Sequence, residues 1–183
     1  MQRELPARKN IRLKDYDYST AGYYFITICV KDKHEMLGKV CVGDDAHIVP
    51  PYIEHSDYGK IVVKYIENIN ISYDDISVDN YVVMPNHVHM LIVIKQDNGG
   101  KDNGRKDNGG TMWASSPTAA RIPGVIRSLK TLVAKECGFS FWQRSYHDRI
   151  IRNEEDYQRI WQYIDENPAR WAEDDYFVKP TAH

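Results

Sequence analysis

The chain has 183 residues with 42% hydrophobic and 27% charged residues, a composition that predicts one globular domain able to bury an ordinary core. No apolar run approaches the roughly 20 residues that span a bilayer, and residues 1–14 are charged, unlike the apolar part of a signal peptide. The net charge of −2 argues against non-specific coating of duplex DNA, and three cysteines without a CxxC pair argue against a disulfide framework or zinc ribbon. We therefore expect a cytoplasmic protein without a membrane partner.

The first third of the chain predicts strands followed by a helix. Tyr23 to Val30 is aromatic and β-branched and predicts a buried strand, with which Val40 to Val49 is expected to pair. From about His55 to Ile69, apolar residues recur at intervals of three and four, the pattern of an amphipathic helix. Ser56 is a suitable N-terminal cap for this helix.

Two apolar runs and a polar repeat follow. The runs Ile76 to Met84 and His87 to Ile94 flank Pro85-Asn86, which is turn chemistry between two strands. Lys95 to Gly110 then repeats Lys/Arg-Asp-Asn-Gly without an apolar residue, so it cannot bury surface to offset the entropy of ordering. We predict a flexible insertion at about 95–117 within a single domain of residues 1–183.

The last third predicts two more helices around a short strand. Ile122 to Cys137 has helical apolar spacing before Gly138, and Phe139 to Ile151 has extended character. Asn153 precedes three acidic residues and an apolar stripe that runs to Asn167-Pro168, which predicts a capped third helix. Hairpins and helices without regular alternation favour an α+β fold, most specifically a ferredoxin-like antiparallel sheet with helices packed on it.

Two histidines, His87 and His89, flank Val88 inside an apolar strand. Because side chains alternate along a strand, both imidazoles point to one face and can chelate a divalent cation. The ordinary alternative is a pair of polar residues on the solvated side of a half-buried strand. Histidine is rarely used twice in such a strand for solvation alone, which favours the metal site. We expect the pair to lie at the surface of the sheet rather than in its core.

Tyr163 and Asn167 are four residues apart, so a helix places both on one face. Together they can supply a nucleophile and an oxygen ligand. Tyrosine has a pKa near 10 and attacks poorly unless a metal or a base assists it. The ordinary alternatives are aromatic packing for Tyr163 and a C-terminal cap before Pro168 for Asn167.

Three stretches together resemble the REP-associated tyrosine transposases, a branch of the single-tyrosine HUH transposase superfamily. They are RKNIRLKDYDYSTAGYYFITICV near the start, MPNHVH in the middle and FWQRSYHDRIIRNEEDYQRIWQYIDENP near the end. The resemblance runs from about Arg8 to Trp171, and the Asp-Asn-Gly insertion is its main departure. The combination of MPNHVH with the distant YIDENP makes the resemblance specific.

The resemblance implies a ferredoxin-like fold with the HUH motif on a central strand. It implies that His87, His89 and Asn167 bind Mg²⁺ or Mn²⁺ and that Tyr163 is the nucleophile. The implied activity is cleavage and rejoining of single-stranded DNA, beside palindromic hairpins, through a 5′-phosphotyrosine intermediate. The implied partner is single-stranded or hairpin DNA, and the protein acts as a monomer or a homodimer.

Candidate DNA contacts lie just before the third predicted helix. Arginines are suited to phosphate contacts and aromatic rings to base stacking. The candidates are Arg144, Arg149, Arg152, Trp142 and Tyr146. Their ordinary alternatives are surface arginines and a core tryptophan.

Two other functions remain open from the sequence. A domesticated nucleic-acid-binding protein of the same fold, without catalysis, predicts that a ligand or the nucleophile is missing, whereas all four positions are filled. A metal-dependent hydrolase in which His87 and His89 activate water requires a nearby carboxylate, and Asp148 is the candidate.

Overall fold

The computed structural model of the protein describes residues 21–42, 50–95 and 121–178. Apart from Lys95, the predicted insertion at about 95–117 lies outside the described residues. No helix in these ranges is long and apolar enough to cross a membrane. The regular elements are β1 (Gly22–Cys29), β2 (Gly38–Cys41), β3 (Tyr52–His55), α1 (Asp57–Ser72), β4 (Ile76–Val83), β5 (His87–Ile94), α2 (Arg121–Cys137), β6 (His147–Ile151) and α3 (Glu154–Glu166).

The main sheet has four strands in the order β4-β5-β1-β6, and every neighbouring pair is antiparallel. Without the small β2–β3 sheet, the chain order is strand, helix, strand, strand, helix, strand, with the first and third strands in the centre. This is the ferredoxin-like arrangement. The predicted α+β class with an antiparallel sheet is therefore confirmed.

The predicted pairing of Val40 to Val49 with the first strand is wrong. Gly38–Cys41 instead pairs with Tyr52–His55 in a separate two-stranded sheet, and residues 43–49 lie outside the described part of the chain. Both hydrogen-bonding edges of β1 are already occupied by β5 and β6, so no edge remains for a third partner. Close pairing with β3 also needs Gly38, where a Cβ atom would lie 2.6 Å from the Glu54 carbonyl oxygen.

The two faces of the main sheet carry different helices. On one face, residues such as Ile26 and Met90 pack with α1 and α2 in the larger core. On the other face, Leu91 packs with Ile160 and Ile164 of α3 in a smaller core. Since side chains alternate along a strand, the odd-numbered residues of β5 face α3. This alternation brings the two histidines of β5 to the same side of the sheet as α3.

The start of α3 is set by an N-terminal cap, and its orientation on the sheet is set by the apolar residues along one face. The Asn153 side chain accepts a hydrogen bond from the Asp156 amide at 2.8 Å, and three acidic residues occupy the first turn, where the helix dipole favours them. Ile160 and Ile164 are buried, and each such side chain stabilises the fold by roughly 1.5–3 kcal/mol. With Ile160 and Ile164 packed on the sheet, Tyr163 lies beside the histidines of β5.

Candidate active site

His87 and His89 lie at the start of β5 and are buried, with 0% and 2% of their surfaces exposed. The expectation that they lie at the surface of the sheet is therefore wrong, and so is the alternative of a solvated pair. The physical reason is the second layer, because α3 and the segment that follows it cover this face. The two Nε2 atoms are 3.0 Å apart.

The opposite nitrogen of each ring is held by a neighbouring polar side chain. His87 Nδ1 lies 2.9 Å from Asn86 Oδ1, and His89 Nδ1 lies 2.8 Å from Thr27 Oγ1. Thr27 is the direct partner of His89 in the antiparallel register of β1 and β5, so its side chain lies on the same face. Both Nε2 atoms are consequently directed to one point between the rings.

Tyr163 reaches this point from α3. Its hydroxyl lies 3.3 Å from His89 Nε2 and 3.3 Å from Asp174 Oδ2, and the residue is 37% exposed. Tyr157, another tyrosine of α3, donates a hydrogen bond from its hydroxyl to Asp79 Oδ2 at 3.0 Å. The predicted association of Tyr163 with the histidine pair is thus present in the fold, whereas Tyr157 points elsewhere.

Asp174 is a member of the site that sequence reasoning missed. It follows the short 3-10 turn Trp171–Glu173, and only 2% of its side chain is exposed. Its Oδ1 accepts a hydrogen bond from the Tyr176 amide at 2.7 Å, and its Oδ2 accepts one from Asn167 Nδ2 at 2.9 Å. Its sequence neighbours are also acidic, so no spacing pattern distinguishes this carboxylate from an ordinary charged surface.

Asn167, the predicted oxygen ligand, follows α3 and is 2% exposed. While its Nδ2 holds Asp174, its Oδ1 is buried and has no hydrogen-bond partner among the described residues. An unpartnered buried carbonyl oxygen costs about 1–3 kcal/mol. The oxygen belongs to a side chain whose nitrogen is bonded to Asp174, so Asn167 adjoins the carboxylate of the site.

Burial controls the protonation of the site. Desolvation lowers the pKa of His87 to about 3, with a smaller contribution from the charge of Lys33. Desolvation, then the neighbouring His87, lowers the pKa of His89 well below its ordinary value. Both rings are therefore neutral near pH 7, so the 4.0 Å approach of His87 Nε2 to Asp174 Oδ2 is not an ion pair there.

The phenol of Tyr163 is also perturbed. Burial raises its pKa to about 12, and the negative charge of Asp174 acts in the same direction. A smaller fraction of Tyr163 is therefore ionised at neutral pH than of a free phenol. A positive charge beside Asp174 would oppose this effect.

The donor set fits a divalent cation. Ligand atoms of His87, His89 and Asp174 all lie within 4.8 Å of one another. Two nitrogens bound side by side to one ion at about 2.1 Å are about 3 Å apart, which matches the 3.0 Å between the two Nε2 atoms. Imidazole is a ligand for first-row metals such as Zn²⁺ and Ni²⁺, and carboxylate is a ligand for Mg²⁺ and Mn²⁺.

Comparison with known proteins gives one relative in sequence and one shared fold. No family model matches the chain. A protein from Haemophilus influenzae (strain Rd), described only as uncharacterised, is 35% identical over 176 residues, which cover 93% of each chain. The two proteins belong to one family. Among solved structures, a REP-associated tyrosine transposase bound to a REP hairpin matches with a TM-score of 0.57 at 18% identity, over 87% of this chain and 73% of the other. The chain thus has the fold of that transposase.

Asp148 does not join the histidines on this transposase fold. It is the register partner of Ile26, whose side chain lies in the larger core under α1 and α2. Directly opposed residues of an antiparallel pair share a face, so Asp148 points away from His87 and His89. The carboxylate that accompanies the histidines is Asp174.

The three candidate arginines lie between α2 and α3 in the chain and differ in whether they form an ion pair. Arg144 and Arg152 are exposed. Arg149 is exposed as well and forms an ion pair with Asp156 at 3.0 Å. An exposed pair of this kind contributes little to stability, so all three arginines remain accessible for phosphate contacts.

The two candidate stacking residues are less accessible. Trp142 is 8% exposed and lies in the larger core, with its ring centroid 4.6 Å from that of Phe141. The alternative of a core tryptophan is therefore correct, and Trp142 has no free face for a base. Tyr146 is partly buried against the same core.

Proposed function

We propose that the protein is a metal-dependent single-tyrosine transposase that cleaves and rejoins single-stranded DNA. The observation that carries this proposal is the position of the Tyr163 hydroxyl, 3.3 Å from both His89 Nε2 and Asp174 Oδ2. A phenol placed among three metal-ligating groups has the arrangement needed for attack on a phosphodiester. The transposase fold of the chain agrees with this function.

His87, His89 and Asp174 would hold the cation, and we propose the unpartnered Oδ1 of Asn167 as a further ligand. When bound, Mg²⁺ or Mn²⁺ supplies positive charge that stabilises the developing negative charge on the phosphate. Tyr163 is 37% exposed, so a DNA strand can approach the residue while its hydroxyl stays beside His89 and Asp174. The residues would therefore bind the cation on the buried side and the substrate on the open side.

The proposed reaction is a transesterification. The Tyr163 oxygen forms a bond to phosphorus as the bond from phosphorus to the 3′ oxygen breaks. The phenol proton passes along the hydrogen bond to Asp174 Oδ2, and the departing 3′ oxygen takes up one proton from solvent water to become a free 3′-OH, so that Asp174 returns its proton to solvent. The product is a 5′-phosphotyrosine, which a second 3′-OH can attack to rejoin the strands.

All the groups of the proposed site come from one chain. Tyr163 on α3 approaches His89 of its own β5, and the Asp174 segment completes the cluster. We propose cleavage in cis, in which the chain that supplies the histidines also supplies the tyrosine. For the substrate, we infer single-stranded DNA beside a hairpin, since the transposase of the same fold was solved with a REP hairpin.

The proposal is tested by incubating the protein with Mg²⁺ or Mn²⁺ and labelled single-stranded DNA that carries palindromes. A denaturing gel should show a protein–DNA adduct for the wild type and for Tyr157→Phe, but none for Tyr163→Phe. Tyr163→Phe keeps the ring and its packing, so it should remain folded and still bind the metal. An adduct that persists in Tyr163→Phe would refute the assigned nucleophile. Cleavage without any adduct would indicate a hydrolase, and hairpin binding without cleavage would indicate a domesticated binding protein.

The metal assignment has a separate test. Calorimetric titration with Mn²⁺ should show one site in the wild type and a strong loss of affinity in His87→Ala/His89→Ala. Because both histidines are buried, this variant also needs a folding check by circular dichroism. Unchanged binding in a folded variant would contradict the site.

A further inference from the structure

Asn86 has an orientation that its hydrogen bonds determine. It is fully buried, and its Nδ2 donates to the Lys33 carbonyl at 3.2 Å and to the Tyr176 carbonyl at 2.9 Å. Carbonyl oxygens only accept hydrogen bonds, so the amide nitrogen must face them. The side-chain oxygen Oδ1 therefore faces His87 Nδ1, at 2.9 Å.

This orientation determines the tautomer of His87. Because Asn86 Oδ1 can only accept, His87 Nδ1 must carry the hydrogen. His87 is fully buried with its Nε2 3.0 Å from His89 Nε2, and in its neutral form the ring has one hydrogen only. His87 Nε2 consequently presents a lone pair toward the proposed cation site.

His89 must carry its hydrogen on different ring nitrogens with and without a cation. Without one, its Nε2 lies 3.0 Å from the lone pair of His87 Nε2, so His89 Nε2 carries the hydrogen and donates it. Its Nδ1 then accepts from the Thr27 hydroxyl at 2.8 Å. With a cation, His89 Nε2 must offer a lone pair, so its hydrogen must move to Nδ1.

The Thr27 hydroxyl can serve both forms of His89. A hydroxyl donates to an unprotonated Nδ1 and accepts from a protonated one by rotating about its C–O bond. Thr27 is 3% exposed, so water does not readily replace it. Valine has nearly the same shape and can do neither.

We propose that Asn86 and Thr27 are positioning residues that set the histidine tautomers of the cation site. Asn86 holds His87 permanently in the Nδ1–H form, whereas Thr27 allows His89 to exchange its tautomer when a cation binds. The part concerning Thr27 rests on the proposed function, since it requires the cation. The part concerning Asn86 holds for the metal-free protein.

The tautomers are measured by ¹⁵N NMR of the imidazole nitrogens, with Zn²⁺ as a diamagnetic probe. In the metal-free protein, we expect Nδ1–H for His87 and Nε2–H for His89. On saturation with Zn²⁺, His87 should keep its form and His89 should change to Nδ1–H. An Nε2–H form of His87 in the metal-free protein would overturn the role of Asn86, and an unchanged His89 would overturn that of Thr27.

A matched pair of variants tests the role of Thr27 independently. Thr27→Val should weaken Zn²⁺ binding about 10–100-fold, the usual effect of losing a group that orients a metal ligand. Thr27→Ser keeps the hydroxyl and should bind within a few-fold of the wild type. Equal affinities in the two folded variants would contradict the proposal, because a purely packing role would affect serine at least as much as valine.

The variants of Asn86 separate orientation from packing. Asn86→Asp keeps an oxygen acceptor for His87, whereas Asn86→Ala removes it. We expect the Nδ1–H form of His87 in Asn86→Asp and a mixture of tautomers in Asn86→Ala. A pure Nδ1–H form of His87 in folded Asn86→Ala would refute the role of Asn86. If Asn86→Ala does not fold, the metal-free wild-type spectrum decides that role.

The Zn²⁺ titration separates this inference from the proposed function. If Zn²⁺ does not bind the wild type, the cation site fails together with the role of Thr27, while the metal-free spectrum still decides the role of Asn86.

Discussion

The burial of the two histidines predicts an acid-labile fold. His87 has an ordinary pKa of 6.5 and a folded-state pKa of about 3, so the fold favours its neutral form. A depressed pKa contributes stability that is fully present above pH 6.5 and is lost as the pH falls toward 3. Between pH 7 and pH 5, the unfolded chain takes up about 0.7 proton at this residue and the folded chain takes up almost none. The free energy of unfolding should therefore fall by about 2 kcal/mol from His87 alone, and His89 acts in the same direction.

The assay is urea unfolding of the metal-free protein at pH 7 and pH 5, followed by circular dichroism. Other groups also titrate in this range, so the control is His87→Gln/His89→Gln, which keeps polar side chains without the buried imidazoles. The wild type should lose at least about 2 kcal/mol more than this variant on acidification. Equal losses in the two proteins would refute the reasoning, because they would show that the imidazoles are already protonated or solvated in the fold.

Three further predictions concern single side chains. Asp174→Asn keeps the shape of the side chain but removes its charge, so Mn²⁺ affinity measured by calorimetry should fall at least about tenfold, an effect that a bystander carboxylate would not show. Gly59→Ala places a Cβ atom against the Leu37 carbonyl oxygen. Thermal unfolding should therefore show a free energy of unfolding lower by about 1–3 kcal/mol, although alanine has the better helix propensity. A stabilised variant would contradict this packing. Asn153→Ala removes the cap of α3 and should cost about 1 kcal/mol in urea unfolding, whereas no loss would mean that the cap is replaced by water.

Local patterns in the sequence determined most of the regular structure. The apolar spacing and Ser56 predicted the helix observed at Asp57–Ser72, where Ser56 accepts a hydrogen bond from the Gly59 amide at 3.1 Å. The strands at Ile76–Val83 and His87–Ile94 also follow their predicted runs. These features depend on contacts within a few residues, which a single sequence records directly. The pairing of Gly38–Cys41 with Tyr52–His55 depends on which strand edges are free, and that is a property of the whole sheet.

The candidate site also combines features that follow from local sequence with features that depend on the tertiary structure. The sequence by itself placed His87 and His89 on one face of a strand and Tyr163 and Asn167 on one face of a helix, because both relations follow from backbone periodicity. Only the tertiary structure decided that these two faces meet, that the histidines are buried, and that Asp174 joins them. Asp174 lies in an acidic stretch without periodicity, and its role arises from the path of the chain after α3. Contacts between residues so far apart in the chain are determined by the packing of layers, which leaves no local signature in the sequence.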